Sequence, residues 1–324
     1  MKILFAVGEK FATKPTNELD ANDVFTTGTV YNYFLRREME RTFGVETATV
    51  ALPFVRSETD AIELIKRTRF PEADHFVYLE QRAFTMTHPL IFDALRKRIP
   101  GYVTTICDHD SLYGPEDILF HVKTSNRTDG ASKSVQLSWA ASPEYCFPEK
   151  EAKVLNFLID HRNYSNAPDR SWDVIQEVAR FANDIFPEIG HKLGFDRLTV
   201  RRFISGGMEI VDTTRPYVEE KYSRRSLSFP DACREYRRCN MFLVTKIESM
   251  GLSALECAMS GALVLYPKGF LPENLAKPIN TIEWDTNIDF NFAIERLNVR
   301  RSALAAARYN WQNLAAMMLG TLRT

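Results

Sequence analysis

The feature that most constrains the fold is an alternation, run twice, of short β-rich runs and longer amphipathic stretches. Lys2–Val7 is a continuous apolar run closed by Gly8, the pattern of a strand buried on both faces. A helix follows from about Thr29 to Thr42, with Val30, Tyr31, Phe34, Leu35 and Met39 at helical spacing. Thr47–Leu52 reads as a second strand. Ser57 opens a helix, with Asp60 completing its cap. His75–Leu79 is a third strand, Pro89–Lys97 a third helix and Tyr102–Cys107 a fourth strand, with shorter strands at Val122–Ser125 and Val135–Ser138. A proline-rich stretch, Pro143–Pro148, then interrupts the pattern as a linker would. The second set runs through strand Val154–Ile159, helix Ser171–Ile185 and strand Leu198–Ile204, which Gly206 and Gly207 close. It continues with helix Pro230–Arg238, strand Met241–Thr245, helix Leu252–Met259 and strands Ala262–Tyr266 and Ile279–Trp284. The C-terminal end reads as helix, with Ala303–Ala307 and Trp311–Leu322 apolar on one face.

Such alternation predicts an α/β chain with parallel sheets covered on both faces. Its 324 residues suit two cores of roughly 150 residues each better than one. Two doubly wound, Rossmann-like domains facing a cleft are expected, with ligands at the carboxyl ends of the strands. No internal repeat or low-complexity tract competes with this reading.

Composition narrows the function. A formal net charge of −1 excludes the global basic field of a typical nucleic-acid binder. Five cysteines with no C-x-x-C spacing argue against a disulfide framework or a zinc site. The N-terminal apolar run ends at Glu9, too short for a signal-peptide core. No apolar stretch approaches the roughly 20 residues of a membrane span. The expected location is the cytoplasm, free or peripheral to a membrane, without stable insertion.

The most informative segment is Cys239 to Gly269, read as strand, tight loop, helix, turn and strand. Gly251 permits close backbone approach or a positive φ. Leu252 and Ser253 begin a helix whose free N–H groups suit a phosphate. Glu248 lies in the loop, and Glu256 lies one turn into the helix among small and apolar neighbours. A carboxylate buried in such a helix needs a partner. Asp108-His109-Asp110 has two readings: a D-x-D manganese site, or a strand-end cluster with His109 toward an acceptor. The metal reading suits a single-sheet fold and conflicts with the two-domain pattern; His109 as a surface or capping residue is the plainer alternative. Arg162 and Arg170 are surface cations or phosphate contacts. Arg201-Arg202, Arg224-Arg225, Arg234 and Arg237-Arg238 read as solvated faces, with Arg201 and Arg202 set apart because they alternate along a strand, or else as a patch for an anionic acceptor such as DNA or a phospholipid surface.

Glu248 and Glu256 form an E-x7-E motif within S/T-x-x-E-x-x-G-L-x-x-L-E-x-x-x-x-G-x-x-V, matched by Thr245, Glu248, Gly251, Leu252, Leu255, Glu256, Gly261 and Val264. This resembles the retaining glycosyltransferases of the GT-B fold, the group 1 glycosyl transferases. Phe229-Pro230-Asp231, the run Leu137 to Pro143 and Ala307-Arg308-Tyr309-Asn310-Trp311 are similar to other elements of that family. The resemblance implies an N-terminal acceptor domain over 1–148, a nucleotide-sugar domain over 149–303 and a helix over 304–324 that packs back on the first domain. It implies that Glu248 contacts the donor sugar; Glu248 and the strand-end His109 are the catalytic candidates. Glu256 binds the ribose, and the amides of Gly251, Leu252 and Ser253 hold the diphosphate. Family members neutralise the diphosphate with an Arg and a Lys; here Arg162 and Arg170 stand nearest those places. Gly28 stands where a Gly-Gly pair is common and, with Asp108, marks the acceptor side.

The activity implied is transfer of a hexosyl or pentosyl group from a nucleoside-diphosphate sugar, a UDP-sugar first, with retention. No cofactor and no metal is expected. The acceptor is left open among a glycan, a lipid-linked sugar and a modified DNA base. Alternatives are an inverting transfer or an epimerisation, a DNA-modifying glycosyltransferase, and a non-catalytic sugar-nucleotide-binding module.

Overall fold

The computed structural model describes residues 1–8, 20–23, 27–53, 55, 57–78, 90–107, 117–121, 133–137, 140–162, 170–205, 218–223, 227–247 and 251–324. The chain divides into two compact units, Met1–Ala140 with Tyr309–Thr324, and Ala141–Arg308. Each is built on a six-stranded, wholly parallel sheet with helices, the two-domain α/β architecture expected.

In the first unit, β1 (Lys2–Gly8) is an inner strand, and Ile3 to Val7 are fully buried. α1 (Thr27–Phe43) leads to β2 (Glu46–Leu52). α2 (Glu58–Arg67) starts where the Ser57 hydroxyl accepts from the Asp60 N–H at 3.1 Å and donates to the Asp60 carboxylate at 2.7 Å. β3 (His75–Tyr78), α3 (Leu90–Arg96), β4 (Val103–Cys107), β5 (Ile118–His121) and β6 (Lys133–Gln136) complete the run. The sheet order is β2-β1-β3-β4-β5-β6. Leu4, Phe76, Ile91, Phe92 and Leu95 form part of its core. The strand expected at Val122–Ser125 falls outside the described residues; Ile118–His121 is the segment that pairs with β4.

In the second unit, β7 (Val154–Arg162) is followed by α4 (Ser171–Arg180). The expected single helix to Ile185 changes register: Phe181–Ile185 is a π-helical turn. There Phe181 lies 4.8 Å from the Phe290 ring and 5.8 Å from that of Phe157. A short α5 (Phe186–Ile189), with Pro187 in its first turn, follows. β8 (Arg197–Ser205) and β9 (Val218–Ser223) continue the sheet. β9 went unmarked because Glu219, Glu220 and Lys221 break any apolar alternation. As an edge strand it tolerates charged residues. α6 (Phe229–Arg238), β10 (Met241–Val244), α7 (Leu252–Met259), β11 (Leu263–Pro267), α8 (Glu273–Ala276) and β12 (Thr281–Trp284) follow. The order is β12-β11-β10-β7-β8-β9, so chain order reverses between β7 and β10.

After α9 (Phe290–Glu295), the C-terminal stretch expected as helix is split into α10 (Val299–Ala306) and α11 (Trp311–Leu322). All three begin where a short polar side chain accepts a backbone N–H: Asp289 from Phe292, Asn298 from Arg301 and Asn310 from Asn313. α11 belongs to the first unit and packs on α1. Its Trp311 ring stacks on Phe34 at 5.6 Å and meets Tyr31 edge-on at 5.0 Å.

Of the arginines read as solvated faces, Arg234 is exposed and Arg238 partly so, whereas Arg201 and Arg202, which alternate along a strand, are buried. Arg201 and Arg202 are 5% and 1% exposed. Arg201 pairs with Glu235 at 3.0 Å and Glu151 at 3.6 Å and donates to Asn156 at 2.7 Å. Arg234 pairs with Asp231, Arg237 with Glu149, and Arg238 with Glu151 and Glu235. Carboxylates on the same or neighbouring segments pair with Arg201, Arg234, Arg237 and Arg238. Arg224, Arg225, Gly206 and Gly207 lie outside the described residues.

Candidate functional site

In an open parallel sheet the strands' carboxyl ends form a crevice where the strand order reverses, and ligands settle there. In the second unit that point lies between β7 and β10. Val244 pairs with Asp160 in register, and the Thr245 hydroxyl then donates to the Asp160 carbonyl at 2.6 Å. The Thr245 carbonyl accepts from the Arg170 N–H at 2.7 Å, which ties the start of α4 to the end of β10. Arg162 is the last residue of β7, so its backbone is at the same edge; its side chain lies outside the described part.

The chain re-enters at Gly251, which adopts φ 63° and ψ 32°, the left-handed region that glycine reaches without strain. α7 begins at the next residue. The first amides of any helix have no partner within it, so those of Leu252 and Ser253 are binding groups, with the positive end of the helix dipole behind them. Every residue of α7 except Leu252 is buried. Glu256, one turn in, is 5% exposed. A carboxylate this enclosed is costly unless hydrogen bonds answer it, which marks the position as more than a solvated helix face. Ser253 accepts from the Tyr236 hydroxyl at 3.3 Å.

Cys257, beside Glu256, is not a candidate nucleophile. Burial, and then its hydrogen bond with Cys239, pushes its thiol well above the usual range. Lys150 donates to the Cys239 carbonyl that ends α6, and burial pulls its ammonium down to about 8. The Cys146 and Cys233 sulfurs lie 3.8 Å apart as free thiols.

Arg170 is already engaged. Its guanidinium pairs with Asp173, donates to the Asp285 carbonyl at 3.2 Å and lies 4.7 Å from the centre of the Trp284 ring. Gly28 is in the first turn of α1 rather than in a loop before it. Glu248, Asp108, His109 and Asp110 lie outside the described residues. Among the described residues, no cluster of three or more His, Cys, Asp or Glu is able to hold a metal ion, and no helix is long and apolar enough to cross a membrane. The structure thus places Leu252, Ser253 and Glu256 on one helix with Gly251 just ahead of it, and puts the backbones of Arg162 and Arg170 at the carboxyl ends of β7 and β10. Sequence reading missed Tyr236 and its bond to Ser253, because nothing local to either residue signals a pairing between two separate helices.

No family model matches the chain, and no curated protein sequence matches it. Solved structures match it in fold along its whole length. HepE from Anabaena, in complex with UDP and glucose, aligns with a TM-score of 0.61 at 11% identity over 100% of both chains. Sucrose-phosphate synthase from Thermosynechococcus elongatus aligns with a TM-score of 0.59 at 9% identity, covering 99% of this chain and 98% of that one. The catalytic domain of starch synthase IV from Arabidopsis thaliana, bound to ADP and acarbose, aligns at 0.55 and 9% identity over 99% and 98%. The shared property is the fold: two parallel-sheet α/β units, each with helices, as in GT-B glycosyltransferases.

Proposed function

We propose that this protein transfers a sugar from a nucleoside-diphosphate sugar to an acceptor, with its donor site at the start of α7. The observation that carries the reading is the left-handed Gly251 turn, opening a buried helix beside the switch point, with Glu256 enclosed one turn along. A diphosphate fits the first amides of that helix. Glu256 accepts from the ribose hydroxyls, and Glu248 orients the donor sugar. Arg162 carries the larger share of phosphate neutralisation, because Arg170 already has Asp173 as its partner. Arginines and helix amides in these roles stabilise the leaving diphosphate by fixed electrostatics, so the reading needs no metal. A uridine donor comes first, because HepE, which shares the fold, is described with UDP and glucose. Retention at the anomeric carbon follows the E-x7-E pattern. Gly28, Asp108 and His109 are assigned to an acceptor, which is a glycan, a lipid-linked sugar or a modified DNA base.

Glu256→Ala tests the assignment. A lost hydrogen bond to a charged group costs about 1.5–3 kcal/mol, so kcat/KM for the donor should fall roughly 10- to 100-fold with the fold intact by circular dichroism. Undiminished transfer by the variant would sink the assignment.

A further inference from the structure

The turn ahead of α7 is gripped by a side chain that no motif marks. A Cβ added at Gly251 would lie 2.6 Å from Leu275 Cδ2 and 3.0 Å from Leu271 Cδ1. Leu275 is fully buried, and it belongs to α8, a single turn closed by two N–H groups, those of Leu275 and Ala276, onto the Pro272 carbonyl at 2.9 and 2.8 Å. Gly251 is thus constrained twice over. Its positive φ disfavours any side chain, and the volume where one would go is already filled.

The geometry points to Leu275 as a positioning residue for the diphosphate of the donor. Its methyl group occupies the Cβ space of Gly251 and so sets the direction in which the amides of Leu252 and Ser253 face. A polar contact also holds the start of the helix: Tyr236, fully buried and edge-on to Phe203, donates to Ser253. Leu275 acts only through the backbone of Gly251. Amides that must meet a phosphate oxygen at hydrogen-bond distance tolerate little displacement, and misplacement by about 1 Å can cost on the order of a hundredfold. This inference rests on the donor-site reading above.

Its test is equilibrium binding of UDP, GDP, ADP and dTDP to the full chain, with melting temperatures taken alongside. The nucleotide that the wild type binds best is then titrated into Leu275→Ala, Leu275→Met, Gly251→Ala and the Gly251→Ala/Leu275→Ala double variant. Leu275→Ala should weaken binding about tenfold, and Leu275→Met, close in volume, should recover most of it. Gly251→Ala should weaken binding more than tenfold in the wild-type background and clearly less in the Leu275→Ala background, since the nearer clash is gone while the 3.0 Å approach to Leu271 and the φ strain remain. A merely structural Leu275 would lower the melting temperature and leave the affinity of the folded molecules unchanged. Wild-type affinity in folded Leu275→Ala, or an equal effect of Gly251→Ala in both backgrounds, overturns the inference. A wild-type chain that binds none of the four nucleotides overturns the donor site itself, and that outcome is visible before any substitution is made.

Discussion

Glu235→Ala is expected to lower the unfolding free energy of the second unit by about 3–5 kcal/mol in urea titration. Arg201 and Glu235 have side chains only 6% and 7% exposed, with 3.0 Å between Nε and Oε2. Removing the carboxylate leaves a guanidinium enclosed between β8 and α6, answered by the Asn156 amide and by the more distant, part-exposed Glu151. The desolvation cost of the charge stays while its main compensation goes. Glu151→Ala is the internal control. Its carboxylate is 33% exposed and its pair with Arg197 stands at 3.5 Å on the surface, so a loss of about 1 kcal/mol or less is expected. Equal effects of the two substitutions would mean that Arg201 reaches water and that the network is not a buried one.

The second large effect belongs to the first unit. Trp311→Ala should cost about 3–5 kcal/mol. The indole is 3% exposed and lies between Tyr31 and Phe34 of α1, so its loss opens a cavity in the contact that holds the last helix. Limited proteolysis reads the consequence: cleavage between Ala307 and Asn310 should accelerate, because α11 then undocks more often. A cleavage rate and an unfolding free energy unchanged by the substitution would show that α11 is held by something other than this aromatic contact.

What could be read from the sequence divides by distance along the chain. The Leu252–Met259 helix, the Ser57 cap and the buried run of β1 were legible because their causes lie within a few residues. Gly251 was legible for the same reason, since a glycine between a strand and a helix announces a backbone need. The caps at Asn298 and Asn310 were not, since each sits in a stretch whose apolar spacing still looks helical until the cap geometry is seen. That Arg201 and Arg202 alternate along a strand was legible, but the Glu235 that pairs with Arg201 comes from a helix much later in the chain. β9 lacked any apolar signal. In the candidate site, the helix and its glycine were in view, whereas the Leu275 and Tyr236 contacts depend on tertiary packing. The roles of Glu248, Asp108 and His109 still stand on the sequence pattern alone.

The measurement that bears most directly on the donor site is the stability of the full chain with UDP, GDP, ADP or dTDP, each with and without EDTA. The account predicts that one of these diphosphates, at about 100 times its Kd, adds about 2.7 kcal/mol to the unfolding free energy, and that EDTA leaves the gain unchanged. Stabilisation by none of the four would contradict a nucleotide site at the start of α7.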